Sequence, residues 1–169
     1  MKKGINQWSF PASLKLGDCF RLAADAGFDG LELCLSEDGE FSLASSREDV
    51  ARIAKMAREA GVEVPSVATG LYWRYSPTAS DPSVRQKARE VAAKQMEFAS
   101  LLGADTILYV PGAVNVPWDP SSEIVDYEIA YGRARESLLE ILELAERYGV
   151  NIGVENVWNK FLLSPLEMR

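Results

Sequence analysis

Apolar residues recur along this chain in two alternating rhythms, a three-to-four spacing over long stretches and then short, dense β-rich runs. The spacing of Val50, Ile53, Ala54 and Ala57 predicts one amphipathic helix, opened by Ser45-Ser46-Arg47-Glu48 read as a capping box. A second, begun by Asp81-Pro82, carries Val84, Ala88, Val91, Ala92 and Gln95 and runs on toward Phe98 and Leu102. In a third, Leu138, Ile141, Leu142 and Ala145 form the apolar stripe, and Glu140, Glu143, Glu146 and Arg147 are read as a solvated face.

A unit recurs around Gly27, Gly61, Gly103 and Gly149: an amphipathic helix closes on glycine and a β-rich run follows almost at once. With a first strand over Gly4 to Phe10, strand and helix alternate through five strands and four helices. Ser164-Pro165-Leu166-Glu167 then reads as the cap and first turn of a fifth helix. Such alternation predicts an α/β fold with a parallel sheet and right-handed crossovers, as an open doubly wound sheet or as a (βα)8 barrel. No glycine-rich phosphate loop follows the first strand, which has Pro11-Ala12-Ser13-Leu14 instead. The connections after strands, Thr69 to Ser80 and Pro111 to Ser121, are long, whereas those before strands are short. That asymmetry favours a barrel with its site at the C-terminal ends of the strands. Five βα units fall short of eight, so residues 1–169 are read as a single domain, a partial TIM barrel truncated at the start of its fifth helix.

Charge narrows the classes. A formal net charge of −7 with no histidine is the opposite of the basic footprint a nucleic acid requires. No apolar run approaches the ~18 residues of a membrane span, and Met1-Lys2-Lys3 precedes no apolar segment, so the expectation is a cytoplasmic protein without membrane contact. The two cysteines, Cys19 and Cys34, fall in a predicted helix and a predicted strand and are read as buried thiols.

Candidate chemistry centres on Asn151 to Val157, where Glu155 interrupts an apolar β-run. Alternation sets Ile152 and Val154 on one face and Asn151, Gly153, Glu155 and Val157 on the other, so if the first face packs on helices, Glu155 points into the barrel. From the residues alone it is either a working carboxylate or one paired with a neighbouring cation. Glu32, between Leu31 and Leu33, is also expected to face inward, hydrogen-bonded within the barrel or touching substrate. Trp8 lines a pocket or joins the core. Leu71-Tyr72-Trp73-Arg74-Tyr75 is strongly aromatic for a loop: a lid with Tyr72 stacked on a ligand and Arg74 turned to an anionic group, or a cover for the barrel mouth or a subunit contact. Asn115, Trp118 and Asp119 border the same mouth, and Trp158, Asn159 and Lys160 are placed to reach a substrate, whereas Phe161 to Leu163 are expected to pack as core or at an interface.

Taken in order, Gly4-Ile5-Asn6-Gln7-Trp8, Ala26 to Leu33, Val110-Pro111-Gly112 and Val154-Glu155-Asn156 resemble the sugar-phosphate isomerase/epimerase family of the xylose-isomerase-like TIM-barrel superfamily, over essentially the whole chain. The resemblance implies that Glu155 ligates a divalent metal (Mn, Mg, Co or Zn) and takes part in proton transfer on a small sugar or sugar phosphate. It also implies that the other ligands come from strands after the fifth. One carboxylate does not hold such an ion, so this chain alone is expected to bind no metal stably and to be inactive. A complementing C-terminal half or self-association is expected to cover its open face. Two departures matter. The related abasic-site endonucleases carry His-Pro-Gly where this chain has Val110-Pro111-Gly112, which disfavours a zinc hydrolase. Ketose 3-epimerases carry a second glutamate where this chain has Phe161. The alternative to an enzyme is a non-catalytic sugar-binding or assembly module.

Overall fold

The computed structural model describes residues 1–168. Five parallel strands, β1 (Gly4–Asn6), β2 (Gly30–Leu35), β3 (Ser66–Thr69), β4 (Thr106–Tyr109) and β5 (Asn151–Val154), lie side by side in chain order. Between them run α1 (Leu16–Asp25), α2 (Arg47–Ala60), α3 (Pro82–Leu102) and α4 (Tyr127–Tyr148), each packed on the next. A doubly wound sheet reverses its strand order at a switch point. This one never reverses, which is the winding of a βα barrel.

Period-two alternation divides the sheet cleanly. Leu31, Leu33 and Leu35 of β2, Val67 of β3 and Ile107 and Tyr109 of β4 are fully buried against the helices. Asn6, Glu32, Ser66, Thr106 and Asn151 occupy the other, helix-free face, in register from strand to strand. The helix faces follow the sequence pattern: Val50, Ile53, Ala54 and Ala57 of α2 and Ala88, Val91, Ala92, Gln95 and Phe98 of α3 are buried. Both cysteines are buried and free.

Gln95 is a polar residue within this layer, at 0% exposure. Its amide nitrogen donates to the carbonyls of Val67 and Leu108 at 2.6 and 3.0 Å, and its carbonyl oxygen accepts from the Tyr72 hydroxyl at 2.8 Å. One side chain thereby ties α3 to β3, β4 and the turn after β3. Gln95→Leu preserves volume but strands a buried hydroxyl, and is expected to cost about 2 kcal/mol in urea denaturation. A loss within 0.5 kcal/mol, on the order of a surface substitution, would contradict this bond count.

Several boundaries move from their sequence-based positions, each for a local reason. β1 ends at Asn6 rather than Phe10, because the Asn6 side chain accepts from Trp8 N at 2.7 Å and caps a 3-10 turn over Gln7–Ser9. The capping box of α2 is Ser46 with Asp49, one residue later than read; Ser45 instead accepts from Ser42 N at 2.9 Å. Leu142 of α4 is exposed, the buried stripe being Ala130, Ala134, Ser137, Ile141 and Ala145. The predicted fifth helix is not formed over residues 164–168, which make turns. The Ser164 hydroxyl donates to the Glu167 carboxylate, which also accepts from Leu163 N and Tyr127 Oη, so the would-be cap is engaged in closing a turn.

Candidate active site

Glu155 follows β5 directly, and its N–H donates to Tyr109 O at 3.0 Å, extending the β4–β5 ladder by one residue. With Gly153 opposite Leu108, alternation places Glu155 on the helix-free face shared with Glu32. Two carboxylates therefore share one face in different circumstances. Glu32 is held on both oxygens, by Asn6 Nδ2 and by Ser66 Oγ. For Glu155, a largely exposed side chain, the desolvation it does undergo first and the negative charge of Glu32 second raise the carboxyl above its ordinary range, and no donor among the described residues offsets them. Of the two, Glu155 is thus the carboxylate left without a hydrogen-bond donor among the described residues and with its proton affinity raised.

The remaining sequence candidates separate into those at the mouth and those in the core. Trp8 is 57% exposed in the turn after β1, adjoining the Cys34 thiol, which burial pushes up. Trp118, from the β4–α4 loop, packs edge-on against Trp73 with centroids 4.7 Å apart and lies 5.8 Å from Trp158, which is 72% exposed. All four tryptophans of the chain thus follow the C-terminal ends of strands. Tyr72 is not among these mouth residues: its ring is buried edge-on to Tyr109 at 4.8 Å and its hydroxyl belongs to Gln95, so it supports the turn and does not stack on a ligand. Arg74 is exposed but committed to Glu37, which also accepts from Tyr75 Oη at 2.6 Å; these contacts hold the Glu37 carboxyl below its usual range. Lys160 is exposed, in left-handed backbone at φ 61°. Phe161, where a second glutamate was sought, is buried against Val125, Ala130 and Ala134.

Two contributors carry no assigned role in the sequence reading. Asn6 and Ser66 fix Glu32, and their signal is available as polar residues at inward positions of strands flanking β2. Asn159, expected to reach a substrate beside Trp158 and Lys160, is only 1% exposed and instead ties two loops together through Gly112 O.

The donor set does not make a metal centre by itself. Among the described residues no group of three His, Cys, Asp or Glu side chains is placed to hold an ion, and Glu32 has its oxygens engaged. These residues offer one free carboxylate where a catalytic divalent ion takes several protein ligands.

Comparison with known proteins agrees with the winding of the sheet. A family model described as xylose isomerase-like TIM barrel matches residues 20–168. L-ribulose-5-phosphate 3-epimerase UlaE of Shigella flexneri serotype 5b (strain 8401) is 27% identical over 172 residues, covering 92% of this chain and 54% of that protein. The UlaE of Escherichia coli (strain SE11) is likewise 27% identical, over 169 residues and the same shares. Among solved structures, an L-ribulose 3-epimerase superposes with a TM-score of 0.73 at 22% identity, over 93% of this chain and 50% of that one. D-psicose 3-epimerase in the presence of D-fructose gives 0.72 at 24%, over 90% and 51%. At such identity the structures speak for the fold. The chain spans about half the length of the curated relatives it matches. With the family model covering most of its length and the strand order following the same winding, the chain belongs to the xylose isomerase-like TIM barrel family.

Proposed function

We propose that these five βα units belong to an epimerase of a sugar or sugar phosphate, with Glu155 as the residue that moves the proton. The observation that carries this reading is the contrast between the two carboxylates: Glu32 is fixed by Asn6 and Ser66, and Glu155 has no donor among the described residues and a raised proton affinity. The curated relatives are named L-ribulose-5-phosphate 3-epimerases, which supports a ketopentose phosphate as substrate class. In such a reaction Glu155 takes the proton from the carbon beside the ketose carbonyl, and the C–H electron pair moves into the carbonyl as an enediolate. Return of a proton to the opposite face inverts that carbon. The second proton carrier is not Phe161, so it lies elsewhere in a complete barrel. In a complete barrel Glu155 would be one ligand of a divalent ion (Mn, Mg, Co or Zn), which would supply charge stabilisation at the substrate oxygens. Trp8, Trp118 and Trp158 offer faces for the sugar's C–H surface, and Lys160, exposed and without an ion-pair partner among the described residues where Arg74 is held by Glu37, is the better match for a phosphate. Glu32 shapes the site through its charge.

Among the described residues no helix is long and apolar enough to cross a membrane. The outer edges of β1 and β5 have no neighbouring strand, and Leu139, Leu142, Leu163 and Leu166 are exposed near β5. Further βα units, or a second copy of the chain, would cover them. Residues 1–169 by themselves are expected to turn over no sugar.

Because Glu155 works as a base in its ionised form, kcat/KM should fall as pH drops through its pKa. Desolvation and the Glu32 charge raise that pKa in the metal-free chain and a divalent ion held by the same carboxylate would lower it, so the limb is expected in the acid range. A profile flat through that region would assign the base to another group. The function itself is tested by incubating the full-length protein with L-ribulose 5-phosphate and with free ketoses, following products by NMR. Inversion at the carbon next to the carbonyl is the expected result. The exposed tryptophans favour one second reading, a sugar-binding module without chemistry: ketose binding with no turnover, unchanged in Glu155→Gln, would establish it.

A further inference from the structure

The three loops that follow β3, β4 and β5 are fastened to one another by buried polar groups. Thr78, 0% exposed in the loop after β3, donates through Oγ1 to Ala113 O at 2.6 Å and accepts from Ala113 N at 2.9 Å. Its hydroxyl therefore pairs with both backbone groups of a residue in the loop after β4. The preceding Gly112 stands at φ 135°, and a Cβ there would collide with the Thr78 side chain, so the approach of the two loops requires glycine. Gly112 O in turn accepts from Asn159 Nδ2 at 2.6 Å. The Asn159 carbonyl accepts from Val114 N and Asn115 N, both at 3.2 Å, and its side-chain oxygen accepts from Phe161 N at 3.2 Å.

The chain departs from common backbone on the far side of this tie. Lys160 and Leu162 have φ of 61° and 56°, a conformation that side-chain-bearing residues adopt only when their surroundings over-determine it. Asn159 supplies that constraint, with the buried Phe161 ring beside it. On the near side stand Trp158, four residues nearer Glu155 than Leu162 and in contact with Trp118, and Glu155 itself at the end of the ladder.

We propose that Thr78, Gly112 and Asn159 form a staple that positions the Glu155 loop against the β4 loop, so that Glu155 and Trp158 meet a bound sugar in one fixed arrangement. Asn159 and Thr78 are positioning residues and touch no substrate. The catalytic part of this inference rests on Glu155 being the proton-transfer residue; the geometric part does not.

The test uses the full-length protein with Asn159→Ala, Thr78→Val, Thr78→Ser and, as a spectral reference, Trp158→Phe. Near-UV circular dichroism reports the Trp118–Trp158 contact, and steady-state kinetics on L-ribulose 5-phosphate report positioning. Asn159→Ala and Thr78→Val are each expected to lose the band that Trp158→Phe loses and to lower kcat by about tenfold or more, with KM changed less than about threefold. Thr78→Ser, which keeps the hydroxyl, is expected to retain both. Variants that melt at lower temperature yet keep the band and kcat would overturn the proposal, leaving the three residues a purely structural role. Should Asn159→Ala fail to fold, the two Thr78 variants decide. Should the wild-type protein turn over no ketose phosphate, the epimerase reading fails by itself and the band decides the staple.

Discussion

Glu155→Gln in the full-length protein is expected to lower kcat on a ketose phosphate by about 10²–10⁴-fold, the range for removing a positioned general base, with a melting temperature close to that of the wild type. The fold gives no reason for a stability loss. The Glu155 side chain is exposed, and what links the residue to β4 is its backbone N–H to Tyr109 O, which glutamine keeps. Relief of the repulsion from Glu32 acts, if anything, in the variant's favour. Glu32→Gln should behave in the opposite way. Glu32 accepts from two donors, whereas an amide accepts on one side and donates on the other, so Ser66 Oγ must turn from donor to acceptor and both bonds lose their charge assistance. The expected cost is about 1–2 kcal/mol of stability, with a smaller effect on kcat than Glu155→Gln has. Kinetics and thermal melts on the two variants side by side check both halves. Equal loss of activity in both would show that the carboxylates act as a pair, and a large stability loss in Glu155→Gln would show that the carboxylate serves the fold.

Gly112→Ala is expected to destabilise by about 3 kcal/mol or more, because two penalties combine there. The backbone at φ 135° disfavours any side chain, at on the order of 1–2 kcal/mol. The new methyl would lie 2.8 Å from Thr78 Oγ1 and 2.9 Å from its Cβ, and nearer still to Cγ2, so Thr78 must move and give up its bonds to Ala113. Gly39→Ala is the control. It also has positive φ, at 98°, but a Cβ there meets nothing within 4 Å, so only the dihedral penalty applies. Chemical denaturation of the two variants should separate them by about 1–3 kcal/mol. Equal losses would mean that the loop after β4 yields to the methyl and that the close approach to Thr78 is dispensable.

The sheet was legible in the sequence because its signals are local. Glycines at 61, 103 and 149 close helices in left-handed backbone, as their places in the repeat imply, and the period-two pattern around Leu31, Leu33 and Leu35 sets Glu32 on the opposite face. The direction of Glu155 followed from the same rule applied to Ile152 and Val154. Side-chain partners were not legible, since they depend on loops meeting in space. Tyr72 read as a mouth residue because it sits among aromatics in a loop, yet Gln95, far along the chain, draws its hydroxyl into the core. Arg74 read as a phosphate ligand until Glu37 appeared beside it. Val110-Pro111-Gly112 was weighed for the histidine it lacks, whereas its glycine is the residue the structure needs.

The most direct measurement is proton exchange at the reacting carbon. The full-length protein, loaded with divalent metal and incubated with L-ribulose 5-phosphate in deuterated water, should incorporate solvent deuterium at the carbon adjacent to the carbonyl as the epimer forms, and Glu155→Gln should lose exchange and epimerisation together. Epimerisation and exchange at wild-type rates in Glu155→Gln would contradict the assignment of the proton-transfer residue, and no deuterium in either sugar from the wild-type protein would contradict the epimerase reading.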